Sequence, residues 1–484
     1  DFSHYAESFN GMEDENIVQA IPNAKASEWM EENIPLFECP QRNFEEMYYY
    51  RWWSLRKHIK ETPVGYGMTE FLVQRSYSDK YNLIACAIGH HIYESRWLRD
   101  PKYLDQIIHT WYRGNDGGPM KKMDKFSSWN ADAVLARYMV DGDKDFMLDM
   151  TKDLETEYQR WERTNRLKNG LYWQGDVQDG MEESISGGRN KKYARPTINS
   201  YMYGNAKALS IMGILSGDEG MAMRYGMRAD TLKSLVENDL WNTRHQFFET
   251  MRTDSSANVR EAIGYIPWYF NLPDTTKKYE VAWKEIMDEK GFSAPYGLTT
   301  AERRHPEFRT RGVGKCEWDG AIWPFASAQT LTAMANFMNN YPQTVLSDSV
   351  YFRQMELYVE SQYHRGRPYI GEYLDEVTGY WLKGDQERSR YYNHSTFNDL
   401  MITGLIGLRP RLDDTIEINP LIPADKWDWF CLDNVLYHGH NLTILWDKNG
   451  DRYHCGKGLR IFVNGKEAGH ADTLTRLVCE NALK

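Results

Sequence analysis

Two stretches of this sequence gather carboxylates among glycines and aromatic rings, a setting in which a pair of acids can break an acetal. Residues 172–184 hold Asp176, Asp179, Glu182 and Glu183 beside Tyr172 and Trp173. Residues 371–381 hold Glu372, Asp375 and Glu376 beside Tyr373 and Trp381. A third stretch, 316–324, sets Glu317 and Asp319 between Trp318 and Trp323. Cleaving a glycosidic bond needs one carboxylic acid to protonate the leaving oxygen and a second carboxylate to activate water or attack the anomeric carbon. The first and last stretches lie in opposite halves of the chain, so only a closed scaffold would bring them face to face. Most loop carboxylates are merely solvated, so the spacing alone nominates these groups without assigning them.

The elements that must position these loops are helical. Apolar residues recur at helical spacing over 81–97, 131–140, 147–161, 200–215, 220–235, 321–339, 349–363 and 395–406. Pro101 after Asp100, and Asp143 with Asp145, mark helix starts. Between the helices run Gly- and Pro-bearing loops, 112–128, 169–196, 291–317 and 371–392, and no strand run alternates with the helices. Hairpins stacked into a ring, an all-α (α/α)6 toroid over 45–410, are the expected fold, with a cup built from the loops. Residues 1–44 read as an extension. After Leu408 the texture changes: 415–419, 441–446 and 459–463 read as strands, with Asn449-Gly450 and Asn464-Gly465 as turns. A small β-rich domain over 411–484, packed on the helices, is expected.

Composition narrows the partners. The net charge is -11 with no basic cluster, which argues against nucleic acid. No apolar run reaches the about eighteen residues of a membrane span. The six cysteines form no CxxC pair and no metal spacing is present, so neither metal nor other cofactor is expected; the even count fits disulfides without requiring them. The chain begins at Asp1, which fits a processed N-terminus, and a secreted, periplasmic or surface-anchored protein is the expectation. A monomer or weak oligomer is expected. With 17 Trp and 32 Tyr, rings are plentiful enough to stack on the apolar face of a sugar as well as to fill a core.

Several motifs, taken in order, carry a resemblance. Residues 180–184, Gly-Met-Glu-Glu-Ser, resemble the Gly-Trp/Met-Asp-x-Ser element of the (α/α)6-barrel glycosidases related to trehalases, processing α-glucosidase I and mannosylglycerate hydrolases. Residues 199–209 resemble the helix that follows it, and 240–248 the Leu-Trp segment ending in paired aromatics. Residues 318–323 resemble the Trp-Arg-Gly-Pro-x-Trp loop, with Asp319 in place of Arg. Glu372-Tyr373 followed by Thr378-Gly379 resembles the element bearing the general base. The agreement in order and spacing covers about 130–410. It implies an inverting glycosidase acting on an oligo- or polysaccharide, with Glu372 as base. Glu182 stands where the acid is Asp in the family, which leaves Glu182 and Asp179 both open for that role. Inversion implies carboxyl groups roughly 6.5–9.5 Å apart, and retention roughly 5 Å. Trp173, Arg195, Trp318, Asp319, Trp323 and Tyr373 are implied to line the sugar site. His394 could touch substrate too, although a place at the start of the last helix, with Asn393 or Ser395 as cap, is the role expected of it. Adjacent His90 and His91 face different ways on a helix and are poor joint metal ligands. His438 and His440 could reach the cup or the surface. Residues 51–53 and 69–71 carry no motif to which a function attaches. Two rivals remain: a polysaccharide lyase on a uronate-containing glycan, and a barrel that binds glycans without turnover.

Overall fold

The computed structural model describes residues 2–484. Six helical hairpins follow one another along the chain. Their outer arms are Arg42–Arg56, Pro101–Arg113, Lys144–Asn165, Glu219–Leu235, the short turns of 277–286, and Asp348–Ser361. Their inner arms are Ile88–Ser95, Asn130–Asp141, Pro196–Ser216, 262–269, Pro324–Asn340 and 397–405. Each inner arm packs on the next, and 397–405 returns to Ile88–Ser95, so the ring closes as an (α/α)6 toroid. Inner arms are largely enclosed by their neighbours: every residue of 196–206 is buried. At Gly89 the packing is so close that a Cβ would sit 2.1 Å from the Trp129 ring of the next hairpin.

Connection length decides where the site can be. Inner arms pass to the next outer arm through short turns such as 142–143 and 217–218, where Asp143 and Asp218 cap the outgoing helix by accepting the amides of Phe146 and Met221. Outer arms pass to inner arms through long segments, five of which hold a two-stranded ribbon: 59–68, 173–194, 241–248, 293–298 and 363–368. All the long segments therefore emerge at one mouth of the toroid, where the inner helices begin. At the other mouth a cavity of about 400 Å³ is lined by Tyr93, Arg96, Asp132 and Arg409, among others. Its charged groups mostly satisfy one another: Arg96 pairs with Asp399 and Arg411 with Glu417.

The tail forms a five-stranded antiparallel sheet from Trp429–Tyr437, His440–Asp447, Gly458–Val463 and Lys466–Ala471, with Ile416–Ile418 pairing separately to Leu477–Cys479. The fifth strand is Leu36–Glu38, which pairs with 431–433, so the N-terminal segment is stitched into the C-terminal sheet. His438 is half-buried, and its ring bonds the Met139 carbonyl at the end of an inner helix. The helix expected from residue 81 starts at Ile88 instead, because Tyr81 and Asn82 take left-handed backbone (φ 66° and 64°) and turn the chain first. All six cysteines are free. No helix among the described residues is long and apolar enough to cross a membrane.

Candidate active site

Glu182 is presented by a tight turn on a buried polar base. Residues 177–179 make one 3₁₀ turn, ended by Gly180 in the left-handed region (φ 71°), and the Met181 amide folds back to the Asp176 carbonyl at 2.8 Å. Glu183 is also left-handed (φ 68°), strain of the kind stored at working sites, and points toward Arg189 and Lys315. Beneath the turn, Asp179 accepts from Arg195 Nε at 2.6 Å, from Thr197 Oγ1 at 2.5 Å and from the Ser127 hydroxyl. Arg195 is wholly buried and also reaches Ser184 and Ser186.

This geometry separates roles that the sequence left open. Asp179 has its oxygens committed to donors under the turn, and Arg195 is enclosed with it; burial requires the pair to face each other. Asp179→Ala is expected to cost about 3–5 kcal/mol by leaving Arg195 charged and unpartnered, read by denaturant unfolding. Lost activity with unchanged stability would instead make Asp179 a reacting group.

Glu182 is mostly enclosed, and burial, with the nearby charges of Glu372 and Asp176, pushes its carboxyl up to about 7. Glu372 thus lies within its field. The loop bearing Glu372 is pinned to the second loop by paired bonds between Leu374 and Ile322, 3.0 and 2.9 Å. Glu372 is 5% exposed. One oxygen accepts from Arg388 at 3.1 Å, with Lys383 Nζ at 3.9 Å. The other carboxylates of these loops are consumed elsewhere: Arg309 gathers Glu317, Asp375 and Glu376.

Between the two loops stands a stack of three rings. Trp318 lies on Trp323 with centroids 4.4 Å apart, and Trp323 lies on Tyr373 at 4.5 Å, all within 20° of parallel. Lys383 sits over the far ring, Tyr373. All three are buried, so the stack forms the wall behind the loops more than an open platform. Asp319 is wholly buried and staples its own loop by accepting the amides of Arg311 and Gly312 on Oδ2 at 2.6 and 3.0 Å. Trp173 lies on the 173–194 ribbon under Lys192, its carbonyl taken by Asn165. His394 is not at a helix start, which falls at Phe397, and neither Asn393 nor Ser395 caps it. Asn393 instead stitches Thr69 and His91, and Ser395 accepts from Arg51. His394 sits 3.7 Å from Glu70 and against Tyr392. Glu70, Tyr392, Arg388 and Lys383 are the groups of this cup that motif matching missed. Among the described residues no cluster of His, Cys, Asp and Glu is arranged to hold a metal.

Comparison with known proteins agrees with this architecture. Residues 408–470 match the C-terminal domain of glycosyl hydrolase family 65. The GH63 mannosylglycerate hydrolase of Thermus thermophilus, in complex with glucose, superposes with a TM-score of 0.54 at 13% identity, over 74% of this chain and 99% of that one. The GH78 family rhamnosidase of a Bacillus species superposes with a TM-score of 0.61 at 11% identity over 89% of this chain, which spans 41% of that longer protein. These likenesses are of fold. Residues 80–395, most of the chain, match the mannosylglycerate hydrolase MGH1-like glycoside hydrolase domain. The protein belongs to that family and is a glycosidase.

Proposed function

We propose that this glycosidase removes terminal sugars from an oligo- or polysaccharide by inversion, with Glu182 as general acid and Glu372 as general base. The observation that carries the reading is the contrast between the two carboxyl groups. Glu182 is buried with other carboxylates in its field and holds its proton up to about pH 7. Glu372 is ion-paired to Arg388 and Lys383. Two acids within each other's field, in environments this different, suit the division of labour that glycoside hydrolysis demands: one gives a proton to the leaving oxygen, the other takes one from water. Asp179 is left outside the chemistry because its lone pairs are already committed.

The test is proton NMR of a panel incubated with wild type and with Glu372→Gln. The panel includes mannosylglycerate, rhamnosides, and plant and microbial oligosaccharides. Release of a sugar by wild type alone, with the opposite anomer appearing first, supports the reading. The same anomer appearing first would require a covalent intermediate instead. Unsaturated, ultraviolet-absorbing products from both proteins would mean elimination and overturn it.

A further inference from the structure

Glu70 closes the ribbon of the first hairpin and ends among groups from three other segments. It is 3% exposed. Its carboxyl oxygens lie 3.6 and 3.8 Å from the Cys86 sulfur and 3.7 Å from His394 Nδ1. The Tyr392 hydroxyl adjoins it, Tyr77 stands near, and the charges of Glu372 and Glu182 both reach it. No Lys or Arg among the described residues pairs with it.

Other buried carboxylates of the ring are provided for. Glu94 accepts the amides of Asn398 and Asp399 at 3.1 and 2.6 Å. Glu261 accepts those of Ile185 and Ser186 at 3.1 and 3.3 Å. Asp179 has Arg195. Glu70 has the Tyr392 hydroxyl, a weakly donating thiol and a histidine that burial keeps neutral, but no cation. A carboxyl group placed this way, in the field of the two proposed reacting acids and without a cationic partner, has bonding capacity to spare.

Resting on the assignment of Glu182 and Glu372, we propose that Glu70 is a substrate-positioning group, a third carboxyl of the cup that hydrogen-bonds a hydroxyl of the sugar being cleaved. Burial, with the fields of Glu372 and Glu182, raises its carboxyl to about 8, against the favour that Tyr392 and Cys86 show its anion. It is therefore neutral at pH 7 and donates its O–H to a neutral sugar hydroxyl, as a glutamine amide can.

Glu70→Gln and Glu70→Ala test this on the glycoside that the panel reveals. Glu70→Ala is expected to lower kcat/KM about 100-fold and Glu70→Gln less than about 10-fold, the loss of one hydrogen bond to a positioned substrate against its retention. Above about pH 8 the wild-type log kcat/KM should fall with a two-proton slope, from the coupled loss of the Glu182 and Glu70 protons; Glu70→Gln should fall with one. Wild-type kinetics in Glu70→Ala, or a two-proton slope kept by Glu70→Gln, overturns the proposal. Should Glu70→Ala fail to fold, the slope in Glu70→Gln decides. Saturation-transfer NMR with glucose, mannose and rhamnose separates this proposal from the catalytic assignment. A wild type that cleaves nothing but binds one of them, with binding lost in Glu70→Ala and kept in Glu70→Gln, upholds Glu70 and sinks the acid–base pair. A wild type that binds and cleaves nothing sinks both.

Discussion

Glu182→Gln is expected to lower kcat/KM for an unactivated glycoside by about a thousandfold, within the range that a positioned general acid contributes. The loss shrinks to little for a substrate whose leaving group departs without a proton, such as a glycosyl fluoride. Wild-type kcat/KM should decline as pH rises past about 7, where Glu182 gives up the proton it must donate; the variant should keep only the one-proton fall that Glu70 brings near pH 8. Stability moves the other way. The folded carboxyl binds its proton more tightly than the unfolded one, so Glu182 costs the native state nothing below about pH 4.5 and progressively more as pH climbs to about 7, roughly 3 kcal/mol in all. Glu182→Gln should thus melt higher than wild type at neutral pH and alike near pH 4. Equal losses on fluoride and unactivated substrates, or an unchanged alkaline limb, would take the acid role away from this residue.

The second large effect belongs to Glu372. Glu372→Gln keeps the volume and one acceptor for Arg388 but cannot take a proton from water, so kcat is expected to fall by about 10³–10⁴ while KM changes little. Here the loss is the same for activated and unactivated leaving groups, because water must be activated in both. That pattern across two substrates distinguishes the base from the acid. A variant that recovers on glycosyl fluoride would place Glu372 on the leaving-group side.

Legibility followed the range of the physics. The ring was readable where helices are long and their apolar spacing is sustained, as in Lys144–Asn165 and Pro196–Ser216. The inner arm at 262–269 and its partner at 277–286 are single turns of 3₁₀ and α-helix, too short to display a period. The strand Leu36–Glu38 has three residues and a partner near the other end of the chain, which no local pattern announces. The loops of Glu182 and Glu372 stood out because acids, glycines and aromatic rings crowd within a dozen positions. Arg195 and Asp319 looked alike by that standard, yet burial commits each to its own loop base. Pairing of buried charges is a three-dimensional fact, and residue type alone cannot tell a group that waits for a ligand from one already spoken for. Glu70 failed the test from the other side: it stands between Thr69 and Phe71 with no acid nearby in sequence, and its neighbours arrive from segments 86, 182, 372 and 392.

The seam of the ring has a consequence for how this protein comes into being. Arg96 meets Asp399 across 303 positions, and Arg51 meets Ser395 across 344. Contacts so distant in sequence carry a heavy loop-closure cost and form late. During synthesis at the ribosome, the first five hairpins emerge with one flank of the ring open, exposing the apolar faces that 397–405 will cover, and such surfaces invite association before closure. Glu70 and Glu372 stand on opposite sides of that same seam. If Glu372 is the base proposed above, hydrolysis begins only when the last hairpin docks, which makes the appearance of activity a clock for the final step of folding.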